Sequence, residues 1–94
     1  MIKIKLNNYE CEINSYNRNT SIMEDNISSN ANITVINGEA EELNALLGTD
    51  IESIEITIDE DKIYDLKNLN AEINTINEYL SGDSMIYNIG IIFK

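Results

Sequence analysis

The stretch NITVINGEAEELNALLGTDIESIEITI, residues 32–58, decides the fold, because its apolar periodicity changes twice within a short span. Ile33, Val35 and Ile36 form a β-prone apolar run. Asn37-Gly38 breaks that run, and residues 39–47 read as helix. Ala40, Leu43 and Leu47 fall at i, i+3 and i+7 with Leu46 beside them, which makes one apolar stripe. Glu39, Glu41 and Glu42 occupy the first turn, where carboxylates favour the positive end of the helix dipole. Asn37 or Gly38 can cap the start, and Gly48 can end the helix in a left-handed conformation. Ile54, Ile56 and Ile58 then alternate with Glu55, Thr57 and Asp59, the mark of a half-buried strand. So short a helix cannot hide its stripe alone and must lie against a sheet.

Working outward, the N-terminus reads as a hairpin. Ile2, Ile4 and Leu6 alternate with Lys3 and Lys5, while Tyr9, Cys11 and Ile13 alternate with Glu10 and Glu12. A two-residue Asn7-Asn8 turn, tolerant of positive φ, pairs Leu6 with Tyr9, Ile4 with Cys11 and Ile2 with Ile13. The same register sets Lys5 opposite Glu10 and Lys3 opposite Glu12, so both faces agree. Residues 15–31 are polar and without clear period, which predicts a loop or a strand interrupted by one. Loops often carry binding, and Tyr16 with Arg18, the only arginine, makes a candidate contact pair there.

Beyond the central stretch, Asp59-Glu60-Asp61-Lys62 reads as a charged turn, and the hairpin it closes is expected to set Tyr64 opposite Ile58 and Leu66 opposite Ile56. Residues 66–80 fit two descriptions. Leu66, Leu69, Ile73, Ile76 and Leu80 have helical spacing, but Asn68, Asn70, Asn74, Thr75 and Asn77 weaken a helix. A strand fits Leu69, Ala71 and Ile73 and needs a bulge to bring in Ile76. At the C-terminus, Met85, Tyr87, Ile89, Ile91 and Phe93 share one face, with Ile86 and Ile92 on the other. A strand apolar on both faces is central or covered by a partner, and Gly90 allows close approach of another group. The expected fold is therefore α+β, mainly antiparallel β, sandwich-like or a single sheet. It has one short helix at about 39–47, and a second helix over 68–80 is the alternative to the bulged strand.

Ninety-four residues make a single small domain, and its core must come from isoleucine, of which there are eighteen against one Phe and no Trp. There is no His, so the usual general base, catalytic triad and zinc ligand are missing. Cys11 is alone and lacks a nearby cation that would favour thiolate, so it reads as a small core residue. The acidic turn at 59–61 lacks the spaced ligands and glycine of a calcium loop. These absences predict a non-enzyme without cofactor or metal. No signal peptide or membrane span is read in the sequence, so secretion by a signal peptide and membrane association are not expected.

The formal charge is −11, which repels phosphates and argues against direct nucleic-acid binding. Between Thr20 and Asp61 there is no Lys or Arg, yet there are eleven acids: Glu24, Asp25, Glu39, Glu41, Glu42, Asp50, Glu52, Glu55, Asp59, Glu60 and Asp61. Such segregation serves solubility, or offers a surface to a basic protein partner.

The segments Ile63-Tyr64-Asp65-Leu66, Asn70-Ala71-Glu72-Ile73 and Ile76-Asn77-Glu78-Tyr79-Leu80, with the alternating strand after them, resemble small phage and prophage proteins of low-GC bacteria. Ser15-Tyr16-Asn17-Arg18-Asn19 adds a fainter likeness, and the Ile- and Asn-rich composition agrees. The resemblance implies a mobile-element origin, in the host cytoplasm or an assembled virion. It implies either a structural or accessory protein that works by self-association or protein–protein assembly, or an acidic inhibitor of a host nucleic-acid-handling defence protein. Tyr16, Arg18, Glu39, Glu41, Glu42, Glu52, Glu55, Asp59, Glu60, Asp61 and the outward-facing Ile92 are the candidate partner-binding residues.

Overall fold

The computed structural model describes every residue, Met1–Lys94. It contains eight strands and one helix: β1 (Ile2–Leu6), β2 (Tyr9–Met23), β3 (Asn26–Ile36), α1 (Ala40–Asn44), β4 (Asp50–Ile51), β5 (Ile54–Ile58), β6 (Asp61–Leu66), β7 (Ala71–Ser81) and β8 (Ser84–Phe93). All strands belong to one antiparallel sheet in the order β4-β7-β8-β3-β2-β1-β5-β6. The fold is mainly antiparallel β with one short helix, and of the two sheet arrangements expected it is the single sheet.

The sheet is open but curled. β4, at one edge, leads through Glu52 and Ser53 directly into β5, which lies beside the opposite edge. β6, at that opposite edge, leads back through residues 67–70 into β7. Both connections cross from edge to edge, so the sheet must bend round its core face. The seam is tied by Asn7, whose backbone N–H donates to the Ser53 carbonyl at 3.1 Å. Its side-chain amide donates to the Asp50 carbonyl at 2.8 Å, and its Oδ1 accepts from the Glu52 N–H at 2.7 Å.

Period-2 alternation places the apolar residues inside. Ile4, Leu6, Ile33, Val35, Ile51, Ile54, Ile73, Ile89 and Ile91 are buried to within about one per cent of complete, and sixteen apolar residues form one core. The β1–β2 register is the one read from the sequence, Ile2 to Ile13 through Leu6 to Tyr9, and Asn7 adopts a φ of 56° at the turn.

Residues 66–80 form no helix. Ala71–Ser81 is a strand with a register shift between Ile73 and Thr75, which brings Ile76 back to the core face. Gly90 makes that bulge possible, since a Cβ at this position would lie 2.4 Å from Thr75 Oγ1 and 3.1 Å from Asn74 Oδ1. Gly90→Ala is therefore expected to destabilise the fold by about 1–3 kcal/mol through overpacking. Adding Thr75→Ala should recover most of that loss in a thermal melt. A neutral Gly90→Ala would mean that the bulge is not held as described.

One expectation is resolved and two are corrected. Residues 15–31 are not a loop: they are strand interrupted only by a two-residue turn at Glu24-Asp25, both with positive φ, which joins β2 and β3 into one long hairpin. The second hairpin pairs Ile56 with Tyr64 and Ile54 with Leu66, two residues away from the expected register. It turns in only two residues, Asp59-Glu60, at φ 49° and 73°, and absorbs the difference in a bulge at Ile63. The helix is shorter than expected and is capped by neither Asn37 nor Gly38. Glu39 is its N-cap without a side-chain bond, and after Asn44 the chain tightens into turns with i to i+3 bonds. That tightening takes Leu47 off the stripe into solvent, while Leu43 is fully buried. Gly48 does take the left-handed conformation, at φ 80°, and its N–H donates to the Ile73 carbonyl at 2.9 Å.

Candidate functional site

The hairpins β2–β3 and β7–β8 are longer than the body that supports them. β1 pairs with β2 only over residues 9–13, and β8 pairs with β3 only from Ser29 to Val35. The end of β2–β3 therefore projects past one end of the sheet. On β7–β8, everything beyond the Glu78–Tyr87 pair projects past the other. These two arms give the molecule its 45 Å long dimension, against 29 and 21 Å in the others.

Both arms carry apolar side chains that no core covers. Ile22, Met23 and Ile27 are about three-quarters exposed at the first tip, and Leu80 is 66% exposed at the second, with Tyr79 and Met85 beside it. Scattered exposed apolar residues are ordinary; here Ile22 and Ile27 are cross-strand neighbours at the end of a projecting hairpin. The arms also leave backbone unpaired. Past Ile13 the outer edge of β2 has no neighbouring strand, and past Glu72 neither does the outer edge of β7.

Tyr16 and Arg18 stand on strand β2 rather than in a loop, and each is engaged within the chain. A bulge at Asn14 turns both towards the core face of β2. The Tyr16 ring packs against Tyr64 across the curl of the sheet, with centroids 5.2 Å apart and hydroxyls at 3.2 Å. Burial, with the Tyr64 hydrogen bond and its charge, holds the Tyr16 hydroxyl above its ordinary pKa. Arg18 lies over the Phe93 ring at 3.9 Å and donates from Nε to Ser29 Oγ at 2.8 Å. The cation–π contact anchors the root of the first arm to β8, and the hydrogen bond ties β2 to β3 within the arm.

Beside the tyrosine pair, a shallow apolar recess of about 340 Å³ opens between β1, β2, β5 and β6, lined by Ile2, Ile13, Tyr16, Ile58, Ile63 and Tyr64. No group of three or more His, Cys, Asp or Glu side chains is placed to hold a metal ion. No helix is long and apolar enough to cross a membrane.

The eleven acids do not form a single group, although those of α1 and the seam lie at one end of the sheet, beside Tyr9 and Asn7. Glu24 and Asp25 form the tip of the first arm, and Glu39, Glu41 and Glu42 lie at α1. Asp50 and Glu52 lie at the seam, Glu55 is on β5, and Asp59, Glu60 and Asp61 are at the β5–β6 turn. Some are engaged locally. Glu55 pairs with Lys62 at 3.2 Å, and Asp59 accepts from the amino group of Met1 at 2.8 Å, which holds its carboxyl below the usual range. Ile92, on the outer face of β8, is 42% exposed between Asn30 and Glu72, and α1 lies on the opposite, core side.

Cys11 is buried in the core, and desolvation pushes its thiol up to about 11, aided by the charge of Glu10. Only about one part in a thousand is thiolate at pH 8. Maleimide labelling of the native protein is expected to run at least about 100-fold slower than in denaturant. Fast native labelling would show that the β1–β2 face opens.

No protein-family model, curated protein or solved structure significantly matches this chain.

Proposed function

We propose that this chain is a non-enzymatic structural or accessory protein of a phage or prophage, a head or tail component that acts through protein–protein assembly. The observation that carries the reading is the pair of hairpin arms, projecting from opposite ends of the body with apolar tips that nothing in the chain covers. A fold that acted alone would gain nothing from exposing Ile22, Met23, Ile27 and Leu80 at the ends of long strands. Inserted into a neighbouring subunit, the same residues become buried anchors. The phage setting rests on the resemblance of residues 63–80 to small phage proteins.

The alternative, an acidic inhibitor that occupies a nucleic-acid-binding groove, has weaker support. It needs one contiguous acidic surface, and the acids here are dispersed over several segments. The two readings separate on salt. Groove mimicry weakens steeply as ionic strength rises, whereas assembly through apolar tips holds. Light scattering after size exclusion, alone and with phage head and tail proteins, tests the assembly reading. A complex containing this chain supports it, and loss of that complex on Ile22→Ser with Leu80→Ser ties it to the arms. A strict monomer that joins no virion protein removes it.

A further inference from the structure

An unpaired strand edge is a template for another strand, and proteins that stay apart protect such edges with charge, bulges or brevity. Besides the three-residue inner edges of the arms, 26–28 of β3 and 84–86 of β8, the sheet has four stretches of free edge. β4 is only two residues long, and β6 carries Asp61, Lys62 and Asp65 with a bulge at Ile63. Those two are protected. The free stretch of β2, residues 15–23, carries one charge, Arg18, and the free stretch of β7, residues 73–81, carries one of opposite sign, Glu78. Neither contains proline or lysine. Apart from Ile73, whose carbonyl accepts from Gly48, no backbone bond from elsewhere reaches either stretch.

We propose that copies of this chain join edge to edge, the free stretch of β2 in one copy pairing antiparallel with the free stretch of β7 in the next. The inference rests on the assembly reading and names its partner as a second copy. Four features fit. First, the two stretches match in length, each bounded at one end by its arm's turn and at the other by a covering strand, β1 or β4. Second, β2 and β7 run in opposite directions within the sheet, so an adjacent copy in the same orientation presents β7 antiparallel to β2 with both core faces on one side.

Third, the hydrogen-bonding groups agree. The turns at Glu24-Asp25 and Gly82-Asp83 are closed by the pairs Met23–Asn26 and Ser81–Ser84, which bond to each other. By the alternation of an antiparallel ladder, Tyr16, Arg18, Thr20 and Ile22 then direct their N–H and C=O groups at the free edge, as do Ile76, Glu78 and Leu80. Fourth, the register that overlaps the full stretches sets Tyr16 opposite Leu80, Arg18 opposite Glu78 and Thr20 opposite Ile76, so the only charges on the two edges oppose each other. The joint is head-to-tail, which generates a ring if the rotation closes and a filament if it does not.

The net charge of −11 repels copies, so association is measured at about 0.3 M salt, where screening acts over on the order of 5 Å. Light scattering is expected to show mass above the 10.7 kDa monomer that rises with concentration. Thr20→Pro removes an outward N–H together with the side-chain bond between Thr20 Oγ1 and Ser29 Oγ at 3.0 Å. It should weaken association at least tenfold while the fold still melts cooperatively. Thr20→Val, which loses the side-chain bond alone, should associate as the parent chain does. Glu78→Lys, which sets two cations opposite each other across the joint, should weaken association as Thr20→Pro does. Asn19→Cys with Asn77→Cys, neighbours across the joint in this register, should cross-link between copies on oxidation. Self-association unaffected by Thr20→Pro and Glu78→Lys, or absence of that cross-link, overturns the proposal. A monomer that still binds a virion protein through its arms overturns this inference and leaves the assembly reading standing. A monomer that binds nothing overturns both.

Discussion

Ile89→Ala is expected to lower the unfolding free energy by about 2–5 kcal/mol, because a fully buried isoleucine loses its transfer energy and leaves a cavity. Ile89 is 1% exposed at the middle of β8, paired on one side with Ile33 and on the other with Ile76. β8 lies between β3 and β7, so the cavity would open at the centre of the four longest strands, where the backbone cannot close it. A chain of this length has about 5–14 kcal/mol in all, and each kcal/mol moves the melting temperature of so small a domain by about 4–8 °C. The drop should therefore be at least about 8 °C. Ile92→Ala, three residues along but on the outer face and 42% exposed, should cost less than about 1 kcal/mol. The contrast is the test: equal losses would show that the outer face is buried, and loss of association from Ile92→Ala with the fold intact would place a partner on that face.

The parts of the fold legible in sequence are those where burial writes a pattern. In β1–β2 the apolar faces, the charge pairs and an asparagine turn all demand one register. In β7, helical spacing of leucines and isoleucines competed with poor helix formers, and the bulged strand describes it: one inserted residue at Asn74 shifts the phase between Ile73 and Ile76. The second hairpin misled for a different reason. Asp59 tolerates positive φ but Glu60 seldom does, so a two-residue turn at Asp59-Glu60 is only half written in its residues, and the compensating bulge at Ile63 is not written at all. The Ser-, Asn- and Thr-rich strands of the first arm were the least legible. Away from the core neither face is buried, so nothing imposes alternation, and beyond the contacts of Arg18, Thr20 and Ser29 these strands are held by their hairpin ladder. The proposed site was invisible for the same reason. A free edge is a difference between the lengths of neighbouring strands, and it exists only once the order β8-β3-β2-β1 is known.

A second large effect is expected at Leu43, which connects the helix to the core. Five residues of helix are far below the length that is stable in water alone, and no side chain caps the start of α1. What holds it is burial: Leu43 is fully buried within the core, while Ala40 and Leu46 are only partly so. Gly38 lets it settle there, since a Cβ on that residue would meet Val35 Cγ1 at 2.8 Å and Leu43 Cδ1 at 2.9 Å. Leu43→Ala should therefore cost about 2–5 kcal/mol globally and also free the segment locally. Amide exchange over residues 40–48 should rise well above that of β3 and β8, including at Gly48, whose bond to Ile73 fixes the far end of the segment. Leu43→Met keeps the volume and should cost less than about 1.5 kcal/mol. Should Leu43→Ala speed exchange in residues 40–48 while the sheet melts unchanged, the helix would be a dispensable cover, and the curled sheet would hold its core without it.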